Sequence, residues 1–441
     1  MSRNFFIGIA LFLFESMTLK GQTAMEMHHL NRHQNLGTAR SAGVGGAFSA
    51  LGNDFSSIHI NPAGAGVFRR EQVDVHFGIF SHNNATSFNG QRIGDNNEAG
   101  VTITNFGKTW MMNEERNRSS VFALTFNQTA SFREKYDGNA FVENPDGSIF
   151  QPGDLYNEIV GREIWGSQHE MGLTFGFNEG YKWYYGFGIG VPITSFRQNY
   201  FNDQSVIDVN GVEQGFVEYD EGIDVSGIGI NARAGVIYRP IPALRIGVSA
   251  QTPTAHSFNG EFDFIYRDGG IFEELEEERG FNPNYRYTAY NAARLNAGMA
   301  YVFNKFGFIS IDYDFVDPRT SRYGGRDMEQ SIKDNLREDI RNDLTPMHHL
   351  RAGTEIRLGS FFLRGGYSLT TSGYSERFNA TNVTGIHGGI GYQTKKFGIN
   401  MSLVNFQSTT GEFVFDQGLI PTPFMNERNR TMFTLGVTIL Q

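Results

Sequence analysis

From residue 71 to the end of the chain, apolar side chains recur at every second position in segment after segment. Val73, Val75, Phe77 and Ile79 alternate with Asp74, His76 and Gly78, and Tyr185, Phe187, Ile189, Val191 and Ile193 alternate with Tyr184, Gly186, Gly188 and Gly190. Leu244, Ile246, Val248 and Ala250 are interleaved with Arg245, Gly247, Ser249 and Gln251, while Leu295, Ala297, Met299, Tyr301 and Phe303 are interleaved with Arg294, Asn296 and Gly298. A strand sends successive side chains to opposite faces, so each segment carries one apolar face and one face of glycine and polar groups. About fourteen such segments can be counted, near 71–80, 98–106, 119–128, 169–178, 183–194, 226–238, 243–252, 291–303, 306–316, 347–358, 361–370, 383–393, 397–406 and 430–440. A soluble sandwich would bring the apolar faces together in a core. A membrane barrel turns them outward to lipid and keeps the polar set in the lumen. Strands of ~9–11 residues in an even number suit the second solution. The expected fold is therefore all-β: a transmembrane antiparallel barrel of about 14 strands.

The connections sort by length in the same sense. Tight turns at 177–182, 239–242, 304–305, 359–360 and 394–396 alternate with long polar connections at 129–168, 195–225, 253–290, 317–346 and 407–428; 371–382 is intermediate. Outer-membrane barrels show this asymmetry, with short turns on the periplasmic side. Within the long connections, Leu155, Ile159 and Val160 predict a short amphipathic helix over 154–165. Met328, Ile332, Leu336 and Ile340 predict another over 327–343. Glu273, Glu274, Glu276, Glu277 and Glu278 form an acidic run, which reads either as a solvated face or as a divalent-ion bridge to lipopolysaccharide.

Composition removes other classes. Phe outnumbers Leu by 40 to 22, and there are 53 Gly and 12 Pro in 441 residues. No run of ~20 apolar residues exists to make a spanning helix. With 37 Lys+Arg against 47 Asp+Glu and no basic run, a nucleic-acid partner is not expected. The absence of cysteine excludes disulfides and thiolate chemistry. Arg3 followed by ten apolar residues from Phe5 to Phe14 reads as a secretory signal peptide over 1–21, with Gly21 or Ala24 as the last residue before cleavage.

Between this leader and the first strand the alternation is absent. Residues 35–61 are rich in Gly, Ala and Ser, small enough to pack in a confined space, and Asn61-Pro62-Ala63-Gly64 then reads as a turn, Pro62 fixing φ and Gly64 freeing it. Residues 22–69 are accordingly expected as a plug inside a barrel formed by 70–441. Gly45, Gly46, Asp54, Asn61, Pro62, Ala63 and Gly64, with Ala47-Phe48 and Ser57-Ile58, resemble the hatch of the FadL/TodX family of outer-membrane transport proteins. Ile309–Phe315, Leu350–Ile356 and Leu363–Tyr367 are similar to the outer-membrane protein P1 group and its Bacteroidetes-type branch. The resemblance implies a fourteen-stranded barrel blocked by its hatch. It also implies passive uptake of hydrophobic or amphipathic small molecules, such as long-chain fatty acids or aromatic hydrocarbons, in the outer membrane. Family members release ligand sideways at a kink in the third strand, but the segment Ser119–Gln128 contains neither Gly nor Pro, so no kink can be read there.

No catalytic constellation stands out, so no enzyme activity is expected, and an outer-membrane lipase remains only as an alternative. No cofactor or metal is expected. His28, His29 and His33 read either as solvated or as a metal or haem site, since His29 and His33 would share a helix face. His348 and His349 fall on opposite sides of one strand. By the alternation, Arg233, Arg245, Arg294, Asp312, Asp314, Arg351, Glu355 and Arg364 point inward. They read either as paired charges that stiffen the barrel and anchor the plug or as cationic contacts for a carboxylate headgroup. Val121, Ala123, Tyr184 and Phe362 also fall inward, and Trp110 and Trp183 suit interface girdles. The expected partners are a hydrophobic ligand, outer-membrane lipid and lipopolysaccharide. A non-transporting barrel serving as a subunit of a secretion or assembly complex is the alternative function, with an unidentified protein partner. A general polar porin is a third reading, which the plug opposes.

Overall fold

The computed structural model describes residues 24–32, 37–115, 117–143, 155–270, 273–325, 328–412 and 424–441. Fourteen strands form one closed antiparallel sheet. They begin with β1 (Gln72–Phe88), β2 (Gln91–Glu115), β3 (Arg118–Ser131 and, after a break, Glu134–Glu143), β4 (Leu155–Glu179), β5 (Trp183–Ile207), β6 (Glu213–Tyr238) and β7 (Leu244–Gln251, continued by Ala255–Gly270). Then follow β8 (Glu273–Tyr290, continued by Arg294–Val302), β9 (Gly307–Val316), β10 (Met347–Leu358), β11 (Phe361–Thr370), β12 (Val383–Gln393), β13 (Phe397–Glu412) and β14 (Phe424–Leu440). A short extra strand, Arg322–Gly324, pairs with Thr288–Tyr290. Each strand pairs with its chain neighbours, and β14 returns to β1 in a ladder from Gln72↔Leu440 to Ser87↔Met425. Closure leaves no edge, so the backbone's polar groups are met within the sheet, as a lipid environment requires.

The alternation sorts as the pattern predicts. Phe187 and Ile189 keep 53% and 51% of their surface exposed on the outside, with Ile228, Ile230, Ile246 and Val248 beside them. Inward neighbours such as Asp312, Glu355 and His76 are buried. Trp183 stacks on Tyr185 and Tyr238 at the short-turn end. The outer apolar belt with an aromatic rim is the architecture of a membrane-spanning barrel.

All fourteen expected segments are strands, but many run further than the alternation suggests. β4 and β5 are each 25 residues long, well beyond the ~9–11 needed to cross a bilayer. Much of what reads as long loops is therefore paired strand rising above the belt. The helix expected over 154–165 is corrected: Leu155, Ile159 and Val160 lie in β4, paired on one side with Glu143, Asn139 and Gly138 of β3 and on the other with β5. Residue 154 lies outside the described residues. A ladder on both sides overrides a weak helical spacing. The helix expected over 327–343 is present as Gln330–Asp343, with Leu336 and Ile340 buried.

Before β1 the chain forms α1 (Ala24–Asn31), α2 (Ala39–Ala42), α3 (Phe55–Ile60) and a 3₁₀ turn (Pro62–Val67); the helix Gln330–Asp343 is α4. Residues 37–68 lie inside the barrel, and their backbone presses directly on the wall. A Cβ added to Gly353 would sit 2.1 Å from the Val44 carbonyl oxygen, and one added to Gly186 would sit 2.2 Å from the Pro62 carbonyl. Glycine on the inner face is what lets the segment approach so closely. Gly353→Val is therefore expected to displace the interior segment at a cost of about 1–3 kcal/mol while leaving the outward belt untouched. Faster proteolysis within residues 37–68, with an intact folded barrel on a non-denaturing gel, is the result expected.

Candidate functional site

The interior segment is held first by its own hydrogen bonds. The Thr38 hydroxyl donates to the Asp54 carboxylate at 2.8 and 2.9 Å, and Asp54 caps α3 by accepting from the Ser56 amide at 2.9 Å. Burial raises the Asp54 carboxyl above its ordinary range, opposed by the nearby Arg40 guanidinium. Asn61 accepts from the Ala63 amide at 3.1 Å and donates to the Ser49 and Val236 carbonyls, tying the turn to β6. Pro62 is the first residue of the 3₁₀ turn, a position that tolerates its missing N–H. Ala63 is fully buried. Gly64 departs from expectation: it has no left-handed φ, and its lack of a side chain matters because a Cβ would meet the Ser57 hydroxyl at 2.7 Å. Gly45 and Gly46 are left-handed, with φ of 71° and 75° where the segment turns against β10 and β11, as are Gly52 and Asn53 further on.

The inward charges meet this segment. Glu355 accepts from Arg40 Nε at 3.1 Å, Arg364 Nε at 2.9 Å and Arg357 Nε at 3.1 Å. The Ser49 amide donates to Asp312 at 2.8 Å, and Arg351 pairs with Asp314 at 2.8 Å. Arg233 pairs with Glu170 and donates to the His59 carbonyl at 2.9 Å. Arg294 donates to the Asn31 carbonyl at 3.4 Å, and Arg245 to the Leu51 carbonyl. Removing one partner from a buried pair costs roughly 3–5 kcal/mol, so a cargo carboxylate has little prospect of displacing Glu355 or Asp314. Arg233 and Glu355 thus join the segment to the wall, while Arg351 and Arg364 are held by wall carboxylates, Asp314 and Glu355. Glu170 was missed by sequence reasoning, although its place two residues from Gly172 on the inward phase of β4 would have marked it. Val121 and Ala123 are buried against Phe55, Ile58 and Phe68 of the segment, and the Arg357 and Arg364 guanidinium groups lie over the ring of Phe362.

The long-loop half of the lumen is apolar instead. Met27 and Leu30 of α1 pack with Phe132, Ile164, Phe196, Phe258, Tyr287 and Ile340. Within this cluster Glu26 is buried, accepting hydroxyl bonds from Tyr287 at 2.5 Å and Tyr323 at 2.8 Å. Burial pushes its carboxyl up to about 7, against the pull of the two hydroxyls. His28 donates through Nε2 to the Ser372 carbonyl at 2.8 Å and stacks on Tyr374. Burial, with Arg32 nearby, pushes it down to about 3, and burial with His28 nearby holds His29 well below its ordinary value. The solvated reading of these histidines is corrected: both are enclosed by the strands' upper halves, which the sequence pattern did not reveal. His33 lies outside the described residues. His348 is exposed and His349 buried, on opposite faces of β10 as expected.

The wall beside this cluster is split. The ladder between β2 and β3 runs from Glu115↔Arg118 to Asn105↔Asn127 and ends there; among the described residues no backbone ladder joins 91–104 to 128–143, which are linked instead by side chains, Arg133 to Glu98 and Asn96 to Asp137. The Asn105 amide donates to Asn127 Oδ1 at 2.7 Å at the fork. Above it, β3 slips register between Gln128 and Ala130, breaks at Phe132–Arg133, and its upper part leans inward, where the Lys135 carbonyl accepts from Asn84 at 2.8 Å. The sequence of Ser119–Gln128 shows no kink, and the irregularity lies just beyond it. The bend needs no Gly or Pro in Ser119–Gln128, because the bulge follows that segment and the yielding residue is on the neighbour: Gly166 of β4, with φ 136°, accepts the Phe132 amide at 3.0 Å. Phe132 points into the apolar cluster, while Ile103 and the stacked Phe126–His169 pair flank the fork outside.

The closed fourteen-stranded barrel is a fold shared with FadL-type hydrocarbon transporters. The chain superposes on a Pseudomonas aeruginosa FadL homologue with a TM-score of 0.60 at 10% identity, covering 91% of this chain and 98% of that one. The Pseudomonas putida toluene transporter TodX gives 0.59 at 11% identity, with 92% and 99% covered, and the Ralstonia pickettii toluene transporter TbuX gives 0.52 at 14% identity, with 91% and 98% covered. Neither a protein-family model nor a curated protein sequence matches the chain.

Glu26 yields a pH dependence of definite sign. A carboxyl raised from 4.5 to about 7 favours docked α1 fully below pH 4.5 and loses that contribution as pH rises through 7. The buried histidines act oppositely, opposing docking below about pH 6.5. Comparing Glu26→Gln with the parent isolates the carboxyl: α1 in the variant should be more protected at pH 8, by at most about 3 kcal/mol, and equally protected at pH 4.5. Amide hydrogen exchange of residues 24–31 is the measurement.

Proposed function

We propose that this protein is an outer-membrane channel for passive uptake of hydrophobic or amphipathic small molecules. The observation that carries the reading is the split between β2 and β3, which lies directly beside the buried apolar cluster around Phe132 and α1. A greasy solute entering from the long-loop end meets aromatic and aliphatic side chains, then the stretch of wall where β2 and β3 share no backbone ladder. The polar, charge-paired interior segment below blocks a straight aqueous path. Residues 22–69 act as the hatch and 70–441 as the barrel, with 1–21 as an export signal. The short turns face the periplasm. Transfer from the apolar chamber into lipid needs no energy source, because both ends of the path solvate apolar surface equally well.

Transporters whose names specify toluene share the fold, which supports aromatic hydrocarbons as one cargo class alongside long-chain fatty acids. Uptake of radiolabelled toluene and oleate should be measured in cells lacking their own transporters, with and without this chain. A several-fold gain for at least one is expected, and equal uptake of both overturns the reading. Gly166→Val, whose Cβ would meet the Ser195 carbonyl oxygen at 2.1 Å, should reduce uptake about tenfold while the folded barrel persists.

A further inference from the structure

The short-turn end of the barrel holds a cavity of about 590 Å³ that the uptake path does not use. Its roof is the hatch, at Leu51, Gly52 and Asn53. Its wall is cationic: Arg40, Arg69, Arg70, Arg239, Arg245 and Arg357 line it, with Lys395 at the β12–β13 turn. Among the described residues no Asp or Glu lines it. The chain as a whole is acidic, with formal net charge −10, so this concentration of one sign is not a reflection of composition.

The partners of these cations leave most of the charge uncompensated. Arg40 and Arg357 share Glu355, whose side chain is fully buried behind them and also bound by Arg364. The other four arginines have only neutral acceptors among the described residues. Arg69 donates to the Ser119 and Tyr184 hydroxyls at 3.2 and 3.3 Å and lies over the Tyr181 ring. Arg70 donates to the Lys395 carbonyl at 3.2 Å, Arg239 to the Pro242 carbonyl at 3.2 Å, and Arg245 to the Leu51 carbonyl. Arg245 Nε is buried with no partner. A concave site lined by one sign focuses its field on whatever enters. Guanidinium forks match carboxylate and phosphate oxygens two at a time. The volume lies within the ~300–1,000 Å³ common for small-ligand sites.

We infer that this inner mouth is a binding site for a compact oxyanion of at least two negative charges, phosphate- or carboxylate-bearing. The site goes beyond the uptake reading, since it lies across the hatch from the apolar chamber and takes ligands of opposite character. It is assembled from two parts of the chain. Arg40 belongs to the hatch and Arg69 and Arg70 to its link with β1, whereas Arg239, Arg245 and Arg357 belong to the barrel. An anion that bridges them fastens the hatch to the wall from below.

The probe is inorganic pyrophosphate, titrated calorimetrically into the full-length protein in a nonionic detergent. Saturable binding near one per chain is expected, weakening as NaCl rises from about 50 to 200 mM. Arg239→Gln and Arg357→Gln should each weaken it about tenfold. Arg118→Gln, which removes an exposed cation paired with Glu179 outside the cavity, should change nothing. Because Arg357 also touches Glu355, folding of each variant is checked by gel mobility; Arg239, bonded only to the adjacent turn, keeps the test open if Arg357→Gln does not fold. Protection of residues 37–68 from protease should rise with pyrophosphate. Repeating the titration in phosphatidylcholine discs with and without phosphatidylglycerol separates the sources. Weaker apparent affinity with the anionic lipid assigns the site to a lipid headgroup, and equal affinity assigns it to a soluble anion. Absence of binding, equal binding by the cavity variants, or binding of hexaglutamate without pyrophosphate overturns the proposal.

Discussion

Closure of the backbone ladder is the constraint on which this structure depends. A chain whose strands turn Phe187, Ile189, Ile230 and Val248 outward has no water on that side to satisfy an open edge. The β1–β14 register supplies the missing partner along nearly the full length of both strands. Everything inside is a consequence. A closed wall encloses a lumen, its inward positions must be filled, and the N-terminal segment fills them at a range set by inner-wall glycines such as Gly186 and Gly353.

Two kinds of filling divide the interior. Near the short turns the interior segment is joined to the wall by buried charges, with Glu355 holding three arginines and Asp312 holding the Ser49 amide. Such pairs are costly to break one partner at a time, which makes them anchors. Towards the long-loop end the filling is α1 with a ring of Phe, Tyr and Ile, where the cohesion is apolar and non-directional. Apolar packing rearranges more cheaply than a charge ladder, and it is on this side that the wall between β2 and β3 is split. The charge-paired half and the apolar half of the lumen therefore differ in the physics that holds them.

Much of this was legible in the residues. The period-two alternation located all fourteen strands, with 347–358, 361–370 and 383–393 matching throughout. The same alternation placed Arg233, Asp312, Arg351, Glu355 and Arg364 on the inner face. What failed lay above the belt. There both faces of a strand meet water or lumen, so Asn83, Asn84 and their partners Arg428 and Asn429 carry no apolar period to read. Leu155, Ile159 and Val160 were ambiguous for the same reason. The bend in β3 was invisible because its yielding residue, Gly166, is on a different strand and thirty-odd positions away in sequence.

The sequence by itself determined the barrel: strand number, inside and outside, which end carries the short turns, and the presence of a small-residue segment ahead of the first strand. Those features are written in local periodicity and turn chemistry, which act over a few residues. Only the tertiary structure decided which charges pair, where the β2–β3 ladder ends, that Glu26 meets two tyrosine hydroxyls 261 and 297 residues away, and that six arginines and a lysine from separate turns and the interior segment face one cavity. Such arrangements depend on which strands become neighbours once the sheet closes, and no local pattern encodes that.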